Sequence, residues 1–177
     1  MDMDKKRFLL LISVPAIVIL IFLCVNLYTL HFGQEILLET APVDPRDLFR
    51  GDYVILSYEI SRINLNEIPY DTDFSRREDI YASLSKKDKF WTVDAVSHTK
   101  PGFGKDQVCM KGRVTNSFND QVSVDWGIES YFVPEGKGRL IERQRNVENV
   151  SVVVSVDSTC SSVLKELLIN DEPVKFE

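Results

Sequence analysis

Residues 8–30 form a stretch of 23 positions that contains no charged side chain. A helix of this length extends about 35 Å, because each residue adds about 1.5 Å. The hydrocarbon core of a bilayer is about 30 Å thick, so the segment is long enough to cross it. Pro15 lies inside the stretch and is tolerated in membrane helices. The sequence therefore predicts one transmembrane helix over residues 8–30, surrounded by the lipid bilayer.

The charges that flank this stretch predict its orientation. Basic residues 5–7 precede it, whereas the first charges after it are Glu35 and Glu39. Because positive flanks stay in the cytoplasm, we expect the N-terminus inside and the remainder of the chain outside. A cleaved signal peptide is the alternative, but its apolar region usually has about 7–15 residues and ends at a small-x-small site. No such site follows the stretch, so we expect an uncleaved signal anchor.

The region after the predicted anchor is acidic. The first 30 residues hold three of the 21 basic and two of the 27 acidic residues, so residues 31–177 carry a net charge of −7. An acidic surface opposes binding to nucleic acid. No repeat or Gly/Ser linker divides this region, and its length fits one domain. We expect a cytoplasmic flank (1–7), an anchor (8–30) and one periplasmic domain (31–177), with no nucleic-acid partner.

Apolar and polar residues alternate along much of the outer region, which indicates half-buried antiparallel strands. The sequence predicts a mainly β fold (α+β at most). The clearest alternation lies in 108–114, 121–126 and 150–156. Further strands are predicted at 35–40, 52–60, 79–84 and 90–97, with a hairpin turn at 85–89. Residues 138–146 are predicted to form a short helix, and residues 162–170 fit a strand or a helix, with the strand favoured.

The chain has three cysteines. Cys24 lies in the predicted anchor, whereas Cys109 and Cys160 belong to the outer domain, where an oxidising compartment would permit a disulfide. A domain of this length does not need a covalent crosslink to fold. We therefore favour two separate thiols over a Cys109–Cys160 disulfide.

Residues 42–58 combine a proline-rich loop with the beginning of a strand. Pro42 and Pro45 restrict the backbone, and Gly51 can adopt a positive φ at the turn. In the strand that follows, Leu56 and Tyr58 lie on one face together with Ile60. The pattern predicts a stiff loop that leads into a central strand.

At these residues the chain resembles the GDYXXLXY family, which is named for the motif present here as Gly51-Asp52-Tyr53, Leu56 and Tyr58. Residues 42–48 and 127–136 are also similar to the family. The resemblance implies a bacterial membrane-anchored protein without an established activity. It also implies a partnership with a larger multi-spanning membrane protein.

The two motif segments supply the candidate interaction residues. Asp44 and Asp47 are interpreted mainly as turn residues, and Arg46 and Arg50 as partners in intramolecular ion pairs. The candidates in the first segment are Asp44, Arg46, Asp47, Arg50, Gly51, Asp52, Tyr53, Leu56 and Tyr58. Those in the second are Glu129, Tyr131, Pro134, Glu135 and Gly136.

Catalytic patterns are weak. When the Gly-Asp of bacterial signal peptidases is laid on Gly51-Asp52, the serine nucleophile falls on Val43, which has no nucleophilic atom. His98 is interpreted as a solvated polar side chain. No cofactor motif or metal-ligand spacing is present. We therefore expect a non-catalytic binding or accessory module of an envelope membrane complex, with an inactive signal-peptidase-like scaffold as the alternative.

Overall fold

The computed structural model describes residues 3–41, 53–102, 104, 106–132 and 150–174. Its helix α1 comprises Met3–Phe32. The strands are β1 (Gln34–Ala41), β2 (Tyr53–Ile55), β3 (Ser57–Tyr58), β4 (Arg62–Asn64), β5 (Asp79–Lys87), β6 (Phe90–Ser97), β7 (Gln107–Phe118), β8 (Gln121–Asp125), β9 (Ser130–Phe132), β10 (Val150–Val156), β11 (Ser162–Ile169) and β12 (Glu172–Pro173). A 3-10 turn, Glu59–Ser61, separates β3 from β4.

The strands form two five-stranded antiparallel sheets and a two-stranded ribbon. The first sheet has the order β12-β11-β10-β1-β3, and the second has the order β4-β8-β7-β5-β6. The ribbon pairs β2 with β9. Apolar side chains from both sheets contribute to one buried core. The predicted mainly β class is therefore confirmed for the described residues, which contain a single helix outside the sheets.

Alternation holds on β8, where Val122 and Val124 are buried and Gln121 is exposed. It fails on β10, because Ser151 and Ser155 are buried as well as the alternating valines Val150, Val152, Val154 and Val156. Strand β10 lies inside its sheet, and α1 packs against it. One of its serines, Ser155, bonds the helix directly through a hydrogen bond to the Thr29 carbonyl oxygen.

Several predicted strands are confirmed, including the favoured strand interpretation of residues 162–170, which is β11. The predicted hairpin turn at 85–89 is wrong in part, because β5 continues to Lys87 and the turn is confined to the two residues before β6. Asp88 occupies the left-handed region there, with φ 54°. The predicted helix at 138–146 lies outside the described residues.

The prediction of one central strand over residues 52–60 is wrong. The described part is divided into β2 and β3, and β3 forms an edge of the first sheet. The chain changes partner at Leu56, since β2 pairs with β9 whereas β3 pairs with β1. The N–H of Leu56 donates to the Glu129 carbonyl oxygen at 2.7 Å. This bond continues the register of β2 with β9 by one residue, up to the point where β3 begins to pair with β1.

The preference for two separate thiols is also wrong, because Cys109 and Cys160 form a disulfide. Cys109 lies on β7, and Cys160 lies in the turn between β10 and β11. The bond therefore links the two sheets, and both cysteines are buried. Domain size does not require this crosslink, but the topology brings the two side chains into contact.

Helix α1 contains the candidate membrane span Leu10–Phe32, which has a hydropathy of 2.8 and an apolar 18-residue window that is not buried within the structure. A single N-terminal apolar helix of this length suggests a single-pass anchor. The last turns of the helix, unlike its earlier part, contact the β domain, and Thr29 is buried there. The Thr29 hydroxyl donates to Asp157 Oδ2 at 2.6 Å. The last part of the helix is therefore joined to the domain by specific hydrogen bonds.

Gly33 permits the close approach of the helix to the domain. A Cβ at this position would lie 2.6 Å from the Thr29 carbonyl oxygen and 2.5 Å from Ser155 Oγ. Such distances are shorter than van der Waals contact, and one of the close atoms belongs to the backbone. Glycine therefore allows α1 to continue into β1 after a single intervening residue.

Candidate functional site

The structure describes part of the predicted interaction set. The predicted residues that lie outside its described ranges are Asp44, Arg46, Asp47, Arg50, Gly51, Asp52, Pro134, Glu135 and Gly136. Tyr53 is described by its backbone. Leu56, Tyr58, Glu129 and Tyr131 are described fully, and the structure brings these residues of the two motif segments together.

The ribbon of β2 and β9 joins the two segments. Its antiparallel register places Tyr53 opposite Phe132, Val54 opposite Tyr131 and Ile55 opposite Ser130. More than 70 residues of sequence separate the two strands. We call the region formed by β2, β3, β9 and residues 125–129 the motif junction.

Two hydrogen bonds extend the junction beyond the ribbon. The bond from the Leu56 N–H to the Glu129 carbonyl oxygen extends the pairing of β2 with β9 by one residue towards β3. The Tyr58 hydroxyl donates to the Ile128 carbonyl oxygen at 2.6 Å, and Tyr58 is fully buried. Burial raises the pKa of Tyr58, and the nearby charge of Glu129 raises that pKa further. Tyr58 is therefore a neutral donor that ties the motif strand to the second segment.

The turn that carries Glu129 contains a second acid. The carboxyl groups of Asp125 and Glu129 hydrogen bond to each other. The Trp126 N–H donates to Glu129 Oε1 at 2.7 Å, and the Gly127 N–H donates to Asp125 Oδ1 at 2.9 Å. Gly127 has φ +77°, which favours glycine at this point of the turn.

The two carboxyl groups share one proton between them. Burial and the hydrogen bond to Asp125 raise the pKa of Glu129 from its usual 4.5 to about 7. The hydrogen bond from Glu129 lowers the pKa of Asp125, and the charge of Arg113 lowers it further. At a pH below about 7, protonated Glu129 therefore donates to ionised Asp125.

This pair predicts a pH dependence of stability. Because the folded pKa of Glu129 is raised, the folded state keeps a proton that the unfolded chain releases between about pH 4.5 and 7. The stabilisation is complete below this window and decreases as the pH rises through it. We expect the pair to contribute a fall of about 1–2 kcal/mol in the free energy of unfolding, since partial solvation reduces the effect.

The measurement is chemical denaturation of the full chain between pH 4.5 and 8. In Glu129→Gln the amide can accept from Trp126 and donate to Asp125 without titrating, so this contribution to the fall should disappear. Glu172→Gln, which alters an exposed glutamate on β12, is the matched control. Identical pH profiles for the wild type and Glu129→Gln would contradict the shared proton.

The outer side of the junction is apolar at Phe132, whose exposed fraction is 77%. Its neighbour Tyr131 is partly buried, and burial followed by the charge of Glu166 raises the pKa of the Tyr131 hydroxyl. Phe132 and Asp125 are not among the interaction residues predicted from the sequence. Asp125 carried a usable signal, because an Asp two residues before a glycine is typical of a turn.

His98, which is predicted to be a solvated polar side chain, is partly exposed and also contacts two carboxylates. Its Nδ1 lies 2.9 Å from Asp71 Oδ1 and 3.1 Å from Thr72 Oγ1. Its Nε2 lies 3.5 Å from Glu78 Oε2. The hydrogen bond to Asp71 raises the pKa of His98, and Glu78 adds to this effect. Within the described ranges, no group of three or more His, Cys, Asp or Glu residues is arranged to hold a metal ion.

The fold and the motif junction define a class of protein in which one candidate membrane-spanning helix carries a β domain that joins two distant loop segments. The family model described as GDYXXLXY protein matches residues 15–167, which include both segments, and the chain belongs to this family. Comparison with curated proteins and with solved structures finds no match.

Proposed function

We propose that this protein is a non-catalytic accessory module of a bacterial envelope membrane complex, and that the motif junction is its recognition surface. One observation carries the proposal: the two family motif segments, distant in sequence, are joined by the β2–β9 ribbon. Tyr58 and Leu56 add hydrogen bonds to the same turn. A domain that uses its family motif to hold two loop segments together is suited to presenting a fixed surface.

The orientation proposed is a cytoplasmic flank (1–7), a membrane anchor (8–30) and a domain (31–177) outside the inner membrane. The basic flank favours a cytoplasmic N-terminus. The disulfide gives an independent argument, because disulfides persist in the periplasm and outside cells and are rare in the cytosol. The basic flank and the disulfide both support a β domain outside the cytoplasm.

The partner proposed is a multi-spanning membrane protein. The anchor confines the domain to the membrane surface, which favours partners in the same membrane. The net charge of −7 on residues 31–177 disfavours nucleic acid. Phe132 provides an exposed aromatic side chain at the junction, and buried aromatic side chains often dominate binding energy at interfaces.

Crosslinking of the full chain in intact cells, followed by mass spectrometry, tests the accessory role. We expect recovery of a specific integral membrane protein. Phe132→Ser should reduce that recovery at least tenfold, because it removes an apolar contact. Its effect on the free energy of unfolding should remain within about 1 kcal/mol, the usual contribution of a cross-strand pair such as that of Phe132 with Tyr53.

Phe118→Ser is the matched control. Phe118 is an aromatic residue on β7 with an exposed fraction of 70%, next to the hairpin turn that leads to β8. It should not change the recovery of the partner. If the chain is recovered alone after crosslinking, or if both serine variants reduce recovery equally, the proposed recognition surface is wrong.

The alternative is a hydrolase on a signal-peptidase-like scaffold. The contacts of His98 bear on this alternative, because histidine is the most frequent general base in enzymes. The Thr72 hydroxyl lies within hydrogen-bond distance of the ring, which is the contact that a nucleophile would need. However, one carboxylate contacts each ring nitrogen, and these contacts raise the pKa of His98. A raised pKa disfavours the neutral ring that would have to accept the hydroxyl proton, so the arrangement supports the accessory role more strongly.

A further inference from the structure

A groove of about 270 Å³ lies where the candidate span meets the β domain. At the end of α1 it is lined by the aromatic side chains of Tyr28 and Phe32. The domain contributes both polar and apolar lining residues, which are Gln34, Gln107, Asp157 and Ser158 together with Val108, Cys109 and Val156. The groove therefore has aromatic rings on the side of the helix, and hydrogen-bonding groups mixed with apolar groups on the side of the domain.

The groove has a fixed position relative to the span. The Thr29 hydroxyl bonds to Asp157, and the Ser155 hydroxyl bonds to the Thr29 carbonyl oxygen, both at 2.6 Å. Tyr28 and Phe32 are exposed, and their rings stack with centroids 5.1 Å apart. Aromatic side chains at the end of a membrane helix lie at the depth of the lipid headgroups. The groove consequently opens into the headgroup layer.

Charged groups of both signs lie at the groove. Burial opposes ionisation of Asp157, but hydrogen bonds from Thr159 and Thr29 hold its pKa below the usual range. Among the described residues that line the groove, Asp157 alone has a charged side chain, and Lys100 Nζ donates to the carbonyl oxygen of the lining residue Ser158 at 2.6 Å. The glutamine amides of Gln34 and Gln107 can each donate as well as accept. An ammonium next to a phosphate would therefore find complementary partners.

We propose that this groove binds the headgroup of a phospholipid with a primary amine, such as phosphatidylethanolamine. The ammonium would donate hydrogen bonds to Asp157 and to amide oxygens, while glutamine N–H groups would donate to the phosphate. The acyl chains would extend along the exposed apolar surface of α1. This inference depends on the span lying in a bilayer and does not depend on the accessory role.

Native mass spectrometry of the full chain tests the proposal after reconstitution into nanodiscs with equal amounts of phosphatidylethanolamine, phosphatidylcholine and phosphatidylglycerol. The wild type should retain one phosphatidylethanolamine at least tenfold more often than either other lipid. Gln34→Trp, which fills the groove, should abolish retention. Asp157→Asn removes the charge together with the second oxygen that accepts from Thr29, so the preference over phosphatidylcholine should be lost. Thr29→Val removes the same hydrogen bond and leaves the carboxylate, so it should keep the preference.

Gln121→Trp is the matched control, because Gln121 is also an exposed glutamine on a strand. It pairs with the far end of β7, roughly 35 Å from Gln107 by the rise of the strand. It should retain lipid as the wild type does. Equal retention of all three lipids, or retention that Gln34→Trp leaves unchanged, would indicate unspecific lipid around the helix and overturn the site. A preference for phosphatidylglycerol would overturn the proposed amine specificity.

Discussion

Replacing Cys109 and Cys160 together with alanine is expected to lower the free energy of unfolding of the full chain by about 4 kcal/mol. The two cysteines are 51 residues apart in sequence, and closing a loop of that length removes much of the conformational entropy of the unfolded chain. For a domain of this size, the midpoint of thermal unfolding should fall by roughly 8–16 °C. Thermal melts in detergent, with and without a reductant, provide the measurement.

The disulfide should also affect the attachment of the anchor. The turn that carries Cys160 begins at Asp157, which accepts the hydrogen bond from Thr29. We therefore expect faster hydrogen exchange at the end of α1 in the double alanine variant. Cys24→Ala is the control, since Cys24 is a free cysteine on the exposed surface of the helix. A melting temperature that neither the double substitution nor the reductant changes would contradict the stabilising role.

Tyr58→Ala is expected to lower the free energy of unfolding by about 3–5 kcal/mol, because it removes a fully buried aromatic ring and leaves a cavity. Tyr58→Phe keeps the ring and removes only the hydroxyl. Since the Ile128 carbonyl oxygen would then lack this donor in a buried site, we expect a loss of about 1–3 kcal/mol. Denaturant titration of the two variants separates the packing of the ring from its hydrogen bond.

The same pair of variants tests the motif junction. If Tyr58 ties the two segments together, Tyr58→Phe should increase hydrogen exchange at the N–H of Leu56, which bonds to the same turn. Exchange at Leu38, a buried residue of β1 outside this turn, serves as an internal reference. An unchanged stability of Tyr58→Phe, or equal increases at both amides, would show that the hydroxyl does not hold the junction.

The motif strand shows which of its features follow from the sequence and which depend on the tertiary structure. Alternation predicted which side chains would be buried, and Leu56, Tyr58 and Ile60 are all buried. It also predicted a continuous central strand, which is wrong, because β2 and β3 pair with different strands. Period two reports which face of a strand is apolar. It carries no information about the strand on either side.

The shared proton of Asp125 and Glu129 and the Cys109–Cys160 disulfide could not be predicted from local sequence patterns, and the reason is the same for both. The sequence shows that Asp125 and Glu129 are four residues apart, but the raised pKa of Glu129 depends on burial in the folded domain. The two outer cysteines are visible as well, yet their contact results from packing β7 against the turn after β10. Neither property exists until strands far apart in the chain are brought together.

The sequence by itself determined the candidate span, the mainly β class and the two motif segments, because a long apolar stretch and a period-two pattern are local properties of the chain. The tertiary structure decided which strands pair, which cysteines meet and how Gly33 allows the anchor to pack against β10. These features depend on contacts between distant residues. Their formation requires closing long loops, and only the folded core compensates for that entropy.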